Sequence, residues 1–208
     1  MAAPNRRPLA SRNAAWAQAL SRKLVASRIT PNQISAASVG FALLGFLAFW
    51  AASCSQGLTQ SAALILAGVT IQARLICNLL DGMVAIEGGK SSPTGPFWNE
   101  APDRAADLLF LAGAGLAAHT PALGLTAAAL AIATAYLREL GRAEGFPPDF
   151  SGPMAKPQRM AALTLGTVIS ALYAPHWVLQ MTLWIITIGA AATIARRALH
   201  LLKALNTK

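Results

Sequence analysis

The chain has 208 residues, 55% of them hydrophobic and only 12% charged, with a mean hydropathy of +0.48. A soluble domain of this length usually carries about twice that charged fraction, and the apolar residues here come in long runs rather than in alternation. The net charge of +9 is scattered between those runs and forms no continuous face, which argues against nucleic acid as a partner and for membrane topology and attraction to anionic membrane lipids.

The sequence predicts an all-α integral membrane protein of six transmembrane helices with an N-terminal interfacial amphipathic helix. Residues 1–32 carry Arg6, Arg7, Arg12, Arg22, Lys23 and Arg28 and no long apolar stretch, so no cleaved signal peptide is expected. Leu9, Trp16, Leu20 and Leu24 share one face of a predicted helix, with the cations on the others. That pattern suits a helix lying in the membrane interface; the alternative is a soluble arm packed on the rest.

Six spanning segments follow at 33–54, 60–84, 98–118, 121–141, 157–175 and 177–200, each near the length needed to cross a hydrocarbon core of roughly 30 Å. Residues 33–200 thus form one six-helix transmembrane domain and 201–208 a cytoplasmic tail. The connections near 55–59, 119–120 and 175–177 hold no Lys, Arg, Asp or Glu. The other side holds the basic N-terminus, Lys90, Arg138, Arg142, Lys156, Arg159, Arg196, Arg197, Lys203 and Lys208, which places both termini in the cytoplasm. Trp50 and Trp177 then mark the outer interface, Trp16 and Trp98 the inner. Cys54 and Cys77 suit neither a disulfide nor a metal motif, and His119, His176 and His200 make none.

Of eight acidic residues, five (Asp81, Glu87, Glu100, Asp103, Asp107) lie in the second and third segments and their connection. Ionisable groups in spanning segments are costly and usually functional. Asn78 and Asp81 share one face of the second segment; Asn99, Asp103 and Asp107 recur every four residues on one face of the third. Hard oxygen donors grouped this way suit Mg²⁺, Mn²⁺ or Ca²⁺ bridging to substrate phosphates. The bland alternative pairs the carboxylates internally, Arg74 with Asp81 and Arg104 with Asp103. The loop Glu87–Gly95 is rich in glycine, which permits close approach of a phosphate to the backbone.

At these residues the sequence resembles the CDP-alcohol phosphotransferase family, whose signature reads D-x2-D-G-x2-A-R-x8-G-x3-D-x3-D. The chain gives Asn78-x2-Asp81-Gly82-x2-Ala85-Ile86-x8-Gly95-x3-Asn99-x3-Asp103 without a gap. Thr30-Pro31-Asn32, just before the first spanning segment, resembles the family's TPN segment. The resemblance implies transfer of a substituted phosphate from a CDP-linked donor, CDP-diacylglycerol in most bacterial members, to a polar alcohol acceptor, with release of CMP. It implies Mg²⁺ or Mn²⁺ as cofactor, a bacterial inner-membrane location and a homodimer. By position, Asn78, Asp81, Asn99 and Asp103 would bind metal, with Asp103 also the catalytic base. Asn32, Asp81, Gly82, Ala85 and Gly95 would bind the nucleotide. Asparagine replaces the first and third aspartates and Ile86 the arginine, which removes charge from the metal site. Asp107, one turn beyond Asp103, is the candidate to restore it, with Glu100 a second.

Arg138, Arg142, Lys156 and Arg159 form a second basic group on the cytoplasmic side. Arginine suits bidentate phosphate binding, so the group reads as a site for a phosphorylated acceptor such as glycerol 3-phosphate or an inositol phosphate, the alternative being plain topology signalling or contact with lipid headgroups. Two other classes stand beside this one. A non-catalytic relative that binds the CDP-lipid is favoured by the two asparagines, and a small cation transporter by the intramembrane carboxylates.

Overall fold

A computed structural model describes residues 10–173 and 176–207 of the chain. A 3₁₀ turn (Ala10–Asn13) leads into α1 (Ala15–Ala26), and six longer helices follow: α2 (Pro31–Ser53), α3 (Gly57–Glu87), α4 (Gly95–Ala117), α5 (Pro121–Ala143), α6 (Lys156–Tyr173) and α7 (His176–Asn206). They stand where the six spanning segments were expected. Four of them, α2, α3, α5 and α7, are long and apolar enough to cross a membrane. α4 carries Glu100, Asp103, Arg104 and Asp107, and α6 has 18 residues including Lys156 and Arg159, so their charge and length set them apart from the four.

Helix boundaries follow local chemistry. Thr30 caps α2 reciprocally: its hydroxyl accepts from the Gln33 N–H while the Gln33 side chain accepts from the Thr30 N–H, and Pro31 occupies the first turn. The three-residue approach of Thr30, Pro31 and Asn32 is thereby held rigid beside the loop after α3.

α1 rests on α3 through Ala17 against Leu79 and Met83, and Ser21 donates a hydrogen bond to Glu87. Trp16 and Leu20 point outward, 51% and 37% exposed. The face buried against the protein is therefore chiefly the small one, Ala17 and Ser21; of the expected stripe Trp16 and Leu20 are left for the membrane interface, whereas Leu24 is half-buried against Ile34, Leu80 and Val84. Leu9, also assigned to that stripe, lies outside the described residues.

α2 is the helix against which both α3 and α4 pack; α4 continues onto α5, α5 onto α7, and α6 joins α3 to α7. Small residues set how closely these helices approach. At the α4–α5 crossing a Cβ on Gly124 would stand 2.6 Å from the Leu111 carbonyl oxygen and 2.7 Å from the Gly115 Cα. Both obstacles are backbone, so neither can move aside. Gly124→Val is therefore expected to pry α4 from α5 and to cost about 1–3 kcal/mol or more, read as a lowered unfolding temperature in detergent.

Candidate functional site

The site lies where α3 ends and α4 begins, with α2 and the start of α6 closing it. A cleft of about 310 Å³ opens here, and its lining includes Asn32, Asp81, Gly82, Ala85 and Gly95, together with Ser35, Lys90 and Asn99. All five residues expected to meet the nucleotide are thus brought to one space. The capped turn of α2 delivers Asn32, whose amide donates to Thr94 Oγ1 at 3.2 Å and to Ser92 Oγ at 3.4 Å, tying the loop to α2. Lys90 Nζ donates to the Ser27 and Ile29 carbonyls and holds the other side of that loop against the α1–α2 junction. A Cβ on Gly95 would meet nothing nearer than 3.9 Å, so a side chain there would project into open cleft.

Asp81 is nearly buried, and Ser35 Oγ donates to its Oδ2 at 2.7 Å. Ser35 was not picked out from the sequence; the signal available was its place one turn after Pro31, on the same side of α2 as Asn32.

Asp103 is the most heavily engaged carboxylate. Its Oδ1 accepts from Arg74 Nη2 at 3.0 Å and from Asn78 Nδ2 at 2.6 Å, and its Oδ2 accepts from Lys156 Nζ. Arg104 stands 3.7 Å from the same Oδ2. Asp107, fully buried, takes a 2.7 Å hydrogen bond from Arg159 Nη2 and lies 3.8 Å from Arg74. The pairing of Arg74 differs from expectation: it meets Asp103 and Asp107, not Asp81. On α3, Arg74 and Asp81 are seven residues apart and so about 10 Å along the axis, beyond side-chain contact, whereas α4 brings its carboxylates level with the guanidinium.

Glu100 turns away from this group. Arg138 Nη2 grips both its oxygens at 2.6 Å, and Arg104 stands 3.5 Å away. Arg138 Nε also donates to Glu139, which Arg142 joins at 2.9 Å. The four basic residues assigned to the acceptor therefore split into two pairs. Arg138 and Arg142 sit among Glu100 and Glu139, Lys156 and Arg159 among Asp103 and Asp107, with Arg104 between.

A second cleft of about 330 Å³ adjoins the Arg138 pair, lined by Phe146, Asp149, Arg197 and His200 among others. Arg197, grouped in the sequence with Arg196 among the cytoplasmic-side cations, is 6% exposed and donates to the Thr134 and Ser151 carbonyls. Consecutive positions on α7 point apart, so Arg196 faces out while Arg197 closes the cleft. Burial opposes ionisation of Asp149 in this wall, but donors from Ser151 and His200 and the charge of Arg197 hold its carboxyl below the usual range.

Among the described residues no three His, Cys, Asp or Glu side chains converge as an ion cage. Asp81 and Asn99 share the cleft, while Asp103 is absent from its lining and has both oxygens engaged, Oδ1 by Arg74 and Asn78 and Oδ2 by Lys156. Asp81 with Asn99 fits an ion of the Mg²⁺ or Mn²⁺ kind, which is commonly held by one or two carboxylates, waters and substrate phosphates.

Comparison with known proteins returns no matching family model. The bifunctional IPC transferase and DIPP synthase of Rubrobacter xylanophilus is 32% identical over 157 residues, 71% of this chain and 33% of that protein. The phosphatidylinositol phosphate synthase of Mycobacteroides abscessus is 25% identical over 140 residues, 62% of each. The chain spans about a third and somewhat under two thirds of the lengths of these relatives. The fold is that of the phosphatidylinositol phosphate synthase of Mycobacterium tuberculosis: the crystal structure with CDP-DAG bound matches at TM-score 0.75 and 18% identity over 90% of this chain and 94% of that one. The structure of the same protein with manganese and citrate matches at TM-score 0.74 and 19% identity, over 89% and 88%.

Proposed function

The chain belongs to the CDP-alcohol phosphotransferase family, and from that premise we propose that it transfers a phosphatidyl group from CDP-diacylglycerol to a phosphorylated alcohol, an inositol phosphate first among them, with release of CMP. The observation that carries this reading is the cleft itself, where Asn32, Asp81, Gly82, Ala85 and Gly95 converge in the spacing of the family signature. The inositol phosphate acceptor is drawn from the relatives named phosphatidylinositol phosphate synthase; Arg138, Arg142, Lys156 and Arg159 are each paired with a carboxylate, and it is Lys156, the partner of Asp103, that would exchange it for the acceptor's phosphate.

In the proposed reaction the acceptor hydroxyl attacks the phosphatidyl phosphorus, a new P–O bond forms, and the bond to the CMP phosphate breaks. Asp103 accepts the hydroxyl proton on Oδ2 once Lys156 has swung from that oxygen toward phosphate. Ser35 orients Asp81, and the loop tied by Asn32 and Lys90 shapes the nucleotide end of the cleft. Asp81 and Asn99, which line the cleft, would hold the divalent ion, which when bound neutralises the pyrophosphate oxygens and stabilises the departing CMP.

All six long helices are assigned as membrane spans, with α4 and α6 crossing because their charged faces turn inward onto one another. Both termini then lie on the cytoplasmic side of a bacterial inner membrane with the cleft, so the lipid donor enters sideways and the acceptor from the cytoplasm. A homodimer completes the proposal by family analogy. A cation pathway is disfavoured because Thr70, Thr134, Thr167 and Thr187 each turn their hydroxyl onto a carbonyl of their own helix, leaving little to line a route across.

The test is CMP release by the purified protein in detergent with CDP-diacylglycerol and Mg²⁺ or Mn²⁺. Glycerol 3-phosphate, inositol 1-phosphate, inositol and serine would be supplied singly. Release with one phosphorylated acceptor, lost in EDTA, is expected. Binding of the donor with no release from any acceptor would favour the non-catalytic relative, which Asn78 and Asn99 make the second reading.

A further inference from the structure

Resting on the reading of this cleft as the site of a CDP-linked donor, we propose that Lys90 binds the donor's diphosphate, as a cation supplied from the loop after α3 rather than from the helix itself. Among the described residues lining the cleft, Lys90 is the only lysine or arginine. It stands just beyond the end of α3, where Gly88 lies against Val25 and Gly89 adopts φ +58°. That left-handed conformation, which glycine takes without strain, turns the chain so that Lys90 reaches the α1–α2 junction.

The partners of Lys90 set it apart from the other cations around the site. Arg74, Arg104, Arg138, Arg142, Lys156 and Arg159 each meet a carboxylate. Lys90 Nζ instead donates to two backbone carbonyls, Ser27 at 2.7 Å and Ile29 at 3.3 Å, and pairs with no carboxylate among the described residues. Asp81, the one carboxylate in the lining, is bonded by Ser35. Carbonyls orient an ammonium without neutralising it, and here they take two of its three N–H groups. A third donor and an uncompensated charge are left at the wall of a cleft, where partial exclusion of water strengthens attraction to an anion.

Ile86 points the same way. It lines the same cleft and is 57% exposed, at the position where the signature carries arginine. The wall formed by the last turn of α3 therefore lacks a cation, and Lys90, four residues on, brings one back to it. The diphosphate is the charged part of a CDP-linked donor and matches a cation so placed. The phosphodiester of a membrane lipid headgroup carries the same chemistry, and the test separates the two.

The experiment is a CDP titration of the detergent-purified full chain at fixed Mg²⁺, repeated at rising salt, with Lys90→Gln and Lys90→Arg beside the unaltered protein. Glutamine keeps a donor for a carbonyl and removes the charge. Lys90→Gln is expected to weaken CDP binding on the order of tenfold at low salt, and the gap should narrow as salt rises. The unfolding temperature without ligand should stay where it was, and Lys90→Arg should restore the affinity. A lysine that only braces the loop predicts a loss independent of salt with a lower unfolding temperature; that outcome overturns the inference, as does an unchanged affinity. If phosphatidylglycerol in the micelle displaces CDP from the unaltered protein but not from Lys90→Gln, the anion is a lipid headgroup and the assignment to the donor falls. Should Lys90→Gln fail to fold, Ile86→Arg adds a cation to the same wall in the otherwise unaltered chain. Tighter CDP binding is then expected, and unchanged binding overturns a phosphate there. CMP release by the unaltered protein keeps the two failures apart. Retained release with no salt-dependent effect of Lys90→Gln removes only the role of Lys90, whereas neither CDP binding nor release removes the donor reading itself.

Discussion

Asp103→Asn is expected to lower CMP release by roughly a thousandfold, the scale on which a positioned proton acceptor acts, while the protein still folds and still binds CDP-diacylglycerol. The amide keeps an oxygen for Arg74 to bond, and Asp107 remains 3.8 Å from the same guanidinium, so the buried charge is not stranded. Lys156 is free to turn into solvent. The loss of a charged acceptor should therefore cost only about 1–3 kcal/mol of stability, visible as a modest fall in unfolding temperature. The readout is the pair of measurements together. Near-normal release would remove Asp103 as the base, and loss of donor binding along with release would make it a structural residue.

The reason Asp103 is so heavily engaged was partly legible in the sequence. The six long helices were visible as apolar runs, and the start of α2 was visible in Thr30-Pro31 and Gln33. α7 runs to Asn206 rather than ending near 200, because Leu199, Leu202 and Leu205 recur at helical spacing among Arg196 and Lys203 and continue the helix beyond an apolar window. The partner of Arg74 was harder to read. Along one helix the eye pairs Arg74 with Asp81, but the decisive neighbour comes from the next helix. A signal existed nonetheless: Asn78 and Asp103, and likewise Arg74 and Asp107, stand equally far from the turn between Lys90 and Ser91. Two helices reversing at that turn bring equidistant residues level. What the spacing does not contain is the rotation of α4, which decides that Glu100 goes to Arg138 and not to the cleft. Arg197 was hidden for a similar reason, since Arg196 and Arg197 look alike in sequence and only the position of the 144–155 connection over α7 buries one of them.

Arg159→Met is the substitution expected to damage the fold most. Arg159 is 2% exposed and its partner Asp107 is fully buried, so removing the guanidinium leaves a carboxylate in the helix interior with only a distant contact to Arg74. Breaking a buried pair on one side costs about 3–5 kcal/mol. Replacing both partners by apolar side chains, Arg159→Met with Asp107→Leu, is expected to recover more than half of that loss, because no uncompensated charge remains. The same cycle addresses whether Asp107 makes up for the charge missing at Asn99. If it does, Asp107→Asn should move the midpoint of the Mn²⁺ dependence of CMP release at little cost in stability. The geometry argues for the reverse: Asp107 faces Arg159 and Arg74 across the α4–α6 and α4–α3 spaces and is absent from the lining of the cleft. Asp107→Asn is accordingly expected to lower the unfolding temperature and leave the Mn²⁺ midpoint where it was. A tenfold shift in that midpoint, with stability unchanged, would return Asp107 to the ion's ligand set and remove it from the buried pair that ties α6 to the site.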